Sequence, residues 1–69
     1  MNLVPVSSSN IAAVGYEEGS MTLTIEFLSG TVYQYFDVSL QVYQELMAAG
    51  SVGTYFSHNI KNNYRYTKL

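Results

Sequence analysis

Residues 58 to 69, HNIKNNYRYTKL, hold every Lys and Arg of a 69-residue chain (Lys61, Arg65 and Lys68), with the single histidine, His58, at their head. Tyr64 and Tyr66 flank Arg65, and Asn59, Asn62 and Asn63 add amides. Single-stranded nucleic acids are held by this kind of combination, because cations follow phosphates while aromatic faces stack on bases at roughly 1–3 kcal/mol each. Residues 1 to 50 carry all five acids, Glu17, Glu18, Glu26, Asp37 and Glu45, so the formal net charge is −2 and no global field attracts a polyanion. Three cations neutralise few phosphates, and contact through this segment alone is expected to be weak and salt-sensitive. The same residues also have a structural use. Lys61 and Lys68 can simply solubilise, His58 and Lys61 oppose the dipole at a helix C-terminus, and Tyr64 can fold back onto Ile60.

Other reactive groups give little support for catalysis. His58 is two residues from both Phe56 and Ile60, off the apolar row of its helix, which places it in solvent. Ser7, Ser8 and Ser9 have no neighbouring base, and such clusters ordinarily make turns or caps. Glu17 and Glu18 fall in a loop as a solvated pair. With one His and no Cys, no metal set is expected and no cofactor is implied. Gly50-x-x-Gly53 lacks the preceding strand and following lysine of a phosphate loop. The expectation is a protein that is not an enzyme.

A chain of this length buries only about 60% of its unfolded surface, so its large apolar residues must be recruited into one core. Cysteine is absent, which fits a reducing compartment and rules out a disulfide framework. The opening MNLVPVSSSN has no basic start or long apolar run, and no stretch approaches the ~20 apolar residues of a membrane span. These features predict a soluble cytoplasmic protein without a membrane partner.

The elements that position these groups follow from periodicity. Residues 1 to 10 read as an irregular lead-in, because Pro5 bars a helix and SSSN favours turns. Residues 11–16, IAAVGY, form a strand candidate closed by an EEGS loop in which Gly19 supplies the permissive backbone. In MTLTIEF, 21–27, Met21, Leu23, Ile25 and Phe27 alternate strictly with polar residues, as in a strand with one buried face. LSG then turns the chain into TVYQYFDV, an antiparallel neighbour. After Val38 the spacing becomes helical: Val42 and Leu46 are four apart, as are Tyr43 and Met47, with Ser39 as cap and Gly50 as left-handed stop. A shorter helix runs from Val52 to about Lys61, capped by Ser51, with Val52, Phe56 and Ile60 in one row. The fold class is α+β, a three-stranded antiparallel meander followed by two short helices packed on one face (β-β-β-α-α). Residues 64–69 remain as a C-terminal tail of a single domain, 1–69.

The position of Tyr33 and Tyr35 depends on the turn, since a one-residue slip reverses a strand's faces. A two-residue loop at Ser29-Gly30 sets Ile25 opposite Gln34 and turns the tyrosines to solvent. It asks positive φ of Ser29, at roughly 1–2 kcal/mol, and buries an amide, at roughly 1–3 kcal/mol if unpaired. A three-residue loop, 28–30, needs positive φ only at Gly30 and sets Ile25 opposite Tyr33 and Leu23 opposite Tyr35. These costs favour the second arrangement, with both tyrosines in the core; the first makes them an exposed platform. With Tyr16 facing Met21 and Val14 facing Leu23, the other sheet face carries small residues, Ala13, Gly15, Thr22 and Thr24, beside whichever aromatics are left outside.

Taken in order, SSSNIAAVGY, LTIEF before SGTVYQYFDV, VYQELMAAGSVGTYFSHNI and YRYTKL resemble the KTSC domain, named for its occurrence at the C-terminus of some lysyl-tRNA synthetases and also found as a stand-alone bacterial protein. The resemblance runs from about Val4 to Leu69, with Tyr33-x-Tyr35 as its central mark and Ser51-x-Gly53-x-Tyr55-Phe56 as a second. Ser39 stands where the family commonly has proline. The resemblance implies an α+β fold and an RNA-related role, with no catalytic residue to carry over. Two functions are therefore expected. One is a small non-catalytic module that binds RNA, or an RNA-associated protein, through Lys61, Arg65, Lys68, Tyr64, Tyr66 and His58. The other is a protein-interaction or structural domain that uses the open sheet face and is either monomeric or weakly self-associating.

Overall fold

The alternation in MTLTIEF does produce a strand, but Met21 falls in the loop before it and is 40% exposed. Thr22 and Thr24 on the other face are buried along with Leu23 and Ile25 on the core face, because a central strand is flanked on both edges. In a computed structural model, which describes residues 3–69, β3 spans Thr22–Phe27 and β4 spans Val32–Tyr35. The turn between them is the three-residue one. Phe27 N donates to Thr31 O and Gly30 N to Phe27 O, each at 2.9 Å, and Gly30 alone in the loop takes a positive φ, +95°. Leu23 therefore pairs with Tyr35 and Ile25 with Tyr33, and the tyrosines share the core face.

The preceding strand, β2, spans Ile11–Glu17 and pairs with β3 as Tyr16 to Leu23 and Val14 to Ile25, two residues along from the expected register. A shift of two leaves the faces unchanged, so Val14 and Tyr16 still project toward the core. The cause is the hairpin loop. It uses four residues, 18–21, with Met21 N donating to Glu18 O at 3.2 Å, and positive φ falls at Met21 (53°) rather than at Gly19. A bulge between Ile11 and Ala13 inserts one extra residue, which lets Ile11 and Val14 both reach the core despite their odd spacing.

The sheet has five strands rather than three. Val4–Pro5, inside the expected irregular lead-in, forms β1 on the outer edge of β2. Proline is tolerated there because an edge strand need not donate on its open side. The first two residues of that lead-in lie outside the described residues. At the other edge, Tyr66–Lys68, expected as a tail, forms β5 and pairs with β4. A three-residue strand has too short a pattern to reveal itself by alternation; what holds it is a set of bonds to a distant strand, including Leu69 N to Val32 O at 2.9 Å. The order is β1-β2-β3-β4-β5, all antiparallel, with both helices inserted before the last strand.

Helix α1 spans Leu40–Ala48 and α2 spans Val52–Asn59. Their caps are the serines read from the sequence: Ser39 Oγ accepts from Val42 N and Ser51 Oγ from Thr54 N. The end of α1 differs, because Ala49 leaves the helix in an extended conformation and Gly50 takes no positive φ. Both helices cover one side of the sheet. Leu46 from α1 and Val52, Phe56 and Ile60 from the α2 row meet Ile11, Val14, Leu23, Ile25 and Tyr35 in one core. The helices are tied together by Tyr55 Oη, which donates to Glu45 Oε1 at 2.8 Å. On the sheet side, Tyr16 stacks on Tyr43 with centroids 4.9 Å apart, and its hydroxyl donates to Val38 O.

Candidate functional site: an aromatic cleft beside the last strand

Because β5 returns antiparallel to β4, Tyr66 comes opposite Tyr35 and Lys68 opposite Tyr33. The three tyrosine rings cluster, with Tyr66 centroids 5.7 Å from Tyr33 and 5.6 Å from Tyr35. Phe56 reaches down from α2 and meets Phe27 and Tyr35 edge-on, at 5.7 and 5.4 Å. The helix stops short of β5, and the space left between them is a cleft of about 300 Å³ whose walls are Phe27, Tyr33, Tyr35, Phe56 and Tyr66. Besides the three tyrosine hydroxyls, its polar groups are those of Asn10, Ser57, Lys61 and Asn62, with no carboxylate among the lining residues. Exposure grades from Tyr35 at 3% to Tyr66 at 57%, so the cleft has an apolar floor and an accessible aromatic lip.

Burial, followed by the neighbouring Tyr33 and Tyr66, pushes the Tyr35 hydroxyl up from 10.0 to about 12. Since the folded value lies above the unfolded one, its contribution to stability is complete below about pH 10 and is lost as pH rises toward 12. Urea midpoints are expected to fall over that window, and Tyr35→Phe should make the fall shallower. Residual dependence remains, because Tyr16 is raised by burial and Glu18, and Tyr55 by its bond to Glu45. Identical alkaline profiles for the two proteins would refute this assignment.

Asn10 enters the cleft from the loop before β2, and its amide orientation is determined by its neighbours. Ser8 Oγ accepts from both Asn10 N and Ile11 N, so its own hydrogen is free to donate to Asn10 Oδ1, at 3.0 Å. The carbonyl end of the amide is thereby committed, and Nδ2 is the end able to donate to a ligand.

The residues expected to bind nucleic acid separate into groups. Lys61 and Tyr66 belong to the cleft together with Tyr33 and Tyr35. Lys68 lies at its edge, across from Tyr33, through strand pairing. Arg65 faces the other side of the sheet, where its guanidinium is 5.4 Å from the Phe36 ring centroid and 3.2 Å from Asp37 Oδ2. Both partners of that ion pair are well exposed, so it adds little stability. Tyr64 is half-buried against the core, and His58 is exposed in the last turn of α2. Asn10, Phe27, Phe56 and Ser57 were not foreseen as site residues. No sequence signal joins them, since tertiary packing alone brings the loop before β2 to α2.

The opposite sheet face is shallow and has no helix over it. Ala13, Thr22 and Thr24 are buried there because they are short and flanked by neighbouring strands. Among the described residues, no group of three His, Cys, Asp or Glu could hold a metal, and no helix is long and apolar enough to cross a membrane.

A lysine–tRNA ligase from Nostoc sp. is 45% identical over 67 residues, covering 97% of this chain but only 12% of the ligase. The chain thus corresponds to a small part of that enzyme. A protein from Stutzerimonas stutzeri of matching length is 36% identical, with 100% of this chain and 99% of the relative aligned. The crystal structure of a KTSC domain protein from Yersinia pestis superposes with a TM-score of 0.96 at 35% identity, over 99% of this chain and 96% of that one. The sequence model of the KTSC domain matches residues 7–64, which include the Tyr33-x-Tyr35 pair and all of α2. With the fold, the central tyrosines and this match in agreement, the chain belongs to the KTSC domain family.

Proposed function

We propose that this domain is a non-catalytic binding module that contacts single-stranded RNA through the cleft beside β5. The observation that carries the reading is the return of the last strand, which sets Tyr66 and Lys68 beside Tyr33 and Tyr35 with Lys61 among the cleft residues. A graded aromatic wall accepts a base face, and two cations near its mouth suit the adjoining phosphates. The cleft contains no carboxylate or histidine to move a proton, which supports binding over catalysis. Resemblance to part of a lysine–tRNA ligase supports an RNA-related and cytoplasmic setting.

NMR titration with short single-stranded RNA at about 50 mM salt tests this. Shifts are expected at Lys61, Tyr66, Lys68 and Tyr33, with Arg65 and His58 much less affected. Two neutralised phosphates predict a slope of log affinity against log salt of about −1.5. Absence of shifts at millimolar RNA, or shifts confined to the Arg65 side, would reject it.

A second reading follows from the uncovered sheet face, where Phe36 stands half-buried beside small residues. In that case the face is a protein-interaction or self-association surface. The same titration would then leave the cleft silent, and sedimentation would show mass rising with concentration.

A further inference from the structure

Tyr35 is the least exposed tyrosine of the cleft, with its ring packed among Tyr33, Phe56 and Tyr66. A tyrosine buried this far ordinarily gives its hydroxyl a partner, as Tyr16 does with Val38 O and Tyr55 with Glu45 Oε1. Among the described residues nothing bonds the Tyr35 hydroxyl, and no side-chain oxygen there is both sealed from solvent and without a partner. This oxygen therefore opens onto the cleft that Tyr35 lines. Burial keeps it protonated at neutral pH, so it both donates and accepts. The floor thus presents an oxygen, while Tyr33 and Tyr66 supply ring surface above it and Lys61 and Lys68 supply the charge. Phe56, Ser57 and Lys61 close the helical side, which makes the space a slot rather than an open platform. Its volume of about 300 Å³ is at the low end for ligand pockets and admits one base rather than a stack.

We infer that the cleft takes a single nucleotide turned out of its strand, whose base enters edge-first and hydrogen-bonds to the Tyr35 hydroxyl on the floor. This rests on the proposed RNA-binding reading and adds to it the part of the RNA that enters and the residue that receives it. A base lying flat on the lip would meet Tyr66 and leave the buried hydroxyl unused, whereas an inserted base meets the rings and the oxygen together. Stacked or paired neighbours cannot follow it into a slot of this volume, so the nucleotide must be unpaired and splayed from its neighbours. Because the hydroxyl donates and accepts, every base finds a partner on the floor.

The test uses the full chain and short ribose-phosphate strands of one length that carry no base, one base or two adjacent bases, made with uracil and again with adenine. The phosphates are then constant, and binding is followed by tyrosine fluorescence. One base is expected to tighten binding about ten-fold over the base-free strand, and a second to add less than two-fold. Tyr35→Phe removes only the unpartnered oxygen, so its thermal midpoint should stay within a few degrees. It should bind the one-base strands about five-fold more weakly than the parent protein, as the loss of one neutral hydrogen bond gives, and the base-free strand equally well. In the parent protein the Tyr35 ring resonances should shift with the one-base strands and stay in place with the base-free strand. Equal binding of the one-base strands by the two proteins overturns the inference, as does a loss confined to one of the two bases. A Tyr35 ring that ignores the base, or a second base that tightens binding as much as the first, also overturns it. Each of these leaves the RNA-binding reading standing. Failure of every strand, and of natural single-stranded RNA, to bind overturns both.

Discussion

Phe56→Ala is expected to cost about 3–5 kcal/mol and to leave much of the protein unfolded at room temperature. Phe56 is 2% exposed, in the middle of the α2 row, and its ring packs edge-on against both Phe27 and Tyr35. Truncation removes the contact area of a large aromatic and leaves a void bordered by side chains fixed on the sheet. Those side chains cannot collapse into it without bending β3 and β4. A domain of this length has only about 3–10 kcal/mol of total stability, so the loss is comparable with the whole. Phe56→Leu should retain most of the burial and lose less than half as much. Urea denaturation followed by circular dichroism decides the matter. A cost below about 1 kcal/mol for the alanine variant would mean that α2 is not what closes this side of the core. The floor of the proposed binding cleft would then lack its support as well.

The parts of this fold legible in the sequence are those in which one local rule suffices. The Leu23-Ile25-Phe27 alternation, the Val52-Phe56-Ile60 row and the serine caps each depend on spacing within a single element, and the structure reproduces them. The turn at Gly30 was decidable because the competing loop carried two costs of known size. What was not legible depends on pairing between distant segments. Val4–Pro5 and Tyr66–Lys68 are too short to alternate, and they become strands only because β2 and β4 present open edges. In the EEGS loop glycine is a poor guide, since Gly19 takes no positive φ and Met21 does. Positive φ at Met21 is an expense that the chain accepts, with Val38 N bonded to Met21 O at 3.0 Å holding that segment in place. The candidate site shows the same division. Lys61, Tyr66, Tyr33 and Tyr35 could be named from type and order, whereas the exclusion of Arg65 follows only from its position one residue before β5, where its guanidinium turns to Phe36 and Asp37. Tyr66 and Arg65 are adjacent in sequence and therefore point to opposite faces, so a run that reads as one basic-aromatic cluster is divided in two by a strand.

Gly53→Ala is expected to destabilise the protein by about 2 kcal/mol, although helix propensity alone predicts a gain of about 1 kcal/mol. A Cβ at this position would lie 2.6 Å from Asn10 Oδ1 and 2.9 Å from Ser8 Oγ, both far inside contact distance. These atoms belong to short side chains that cannot swing aside freely. Ser8 Oγ accepts from the backbone of Asn10 and Ile11 while donating to Asn10 Oδ1, so moving either atom disrupts up to three hydrogen bonds worth roughly 1 kcal/mol each. The alternative is for α2 to lift from the sheet, which opens the contacts of Phe56. Gly50→Ala is the control, since nothing lies within 4 Å of its would-be Cβ and its backbone is unstrained. It should be neutral to within about 0.5 kcal/mol. The close approach also carries a functional consequence, because the turn that Gly53 admits is the one that orients the Asn10 amide toward the cleft. In Gly53→Ala the backbone amide of Asn10 should therefore shift strongly in an NMR spectrum while the 18–21 loop at the far end of β2 remains unchanged. A stabilised Gly53→Ala protein with an undisturbed Asn10 would show that the glycine answers to something other than this packing.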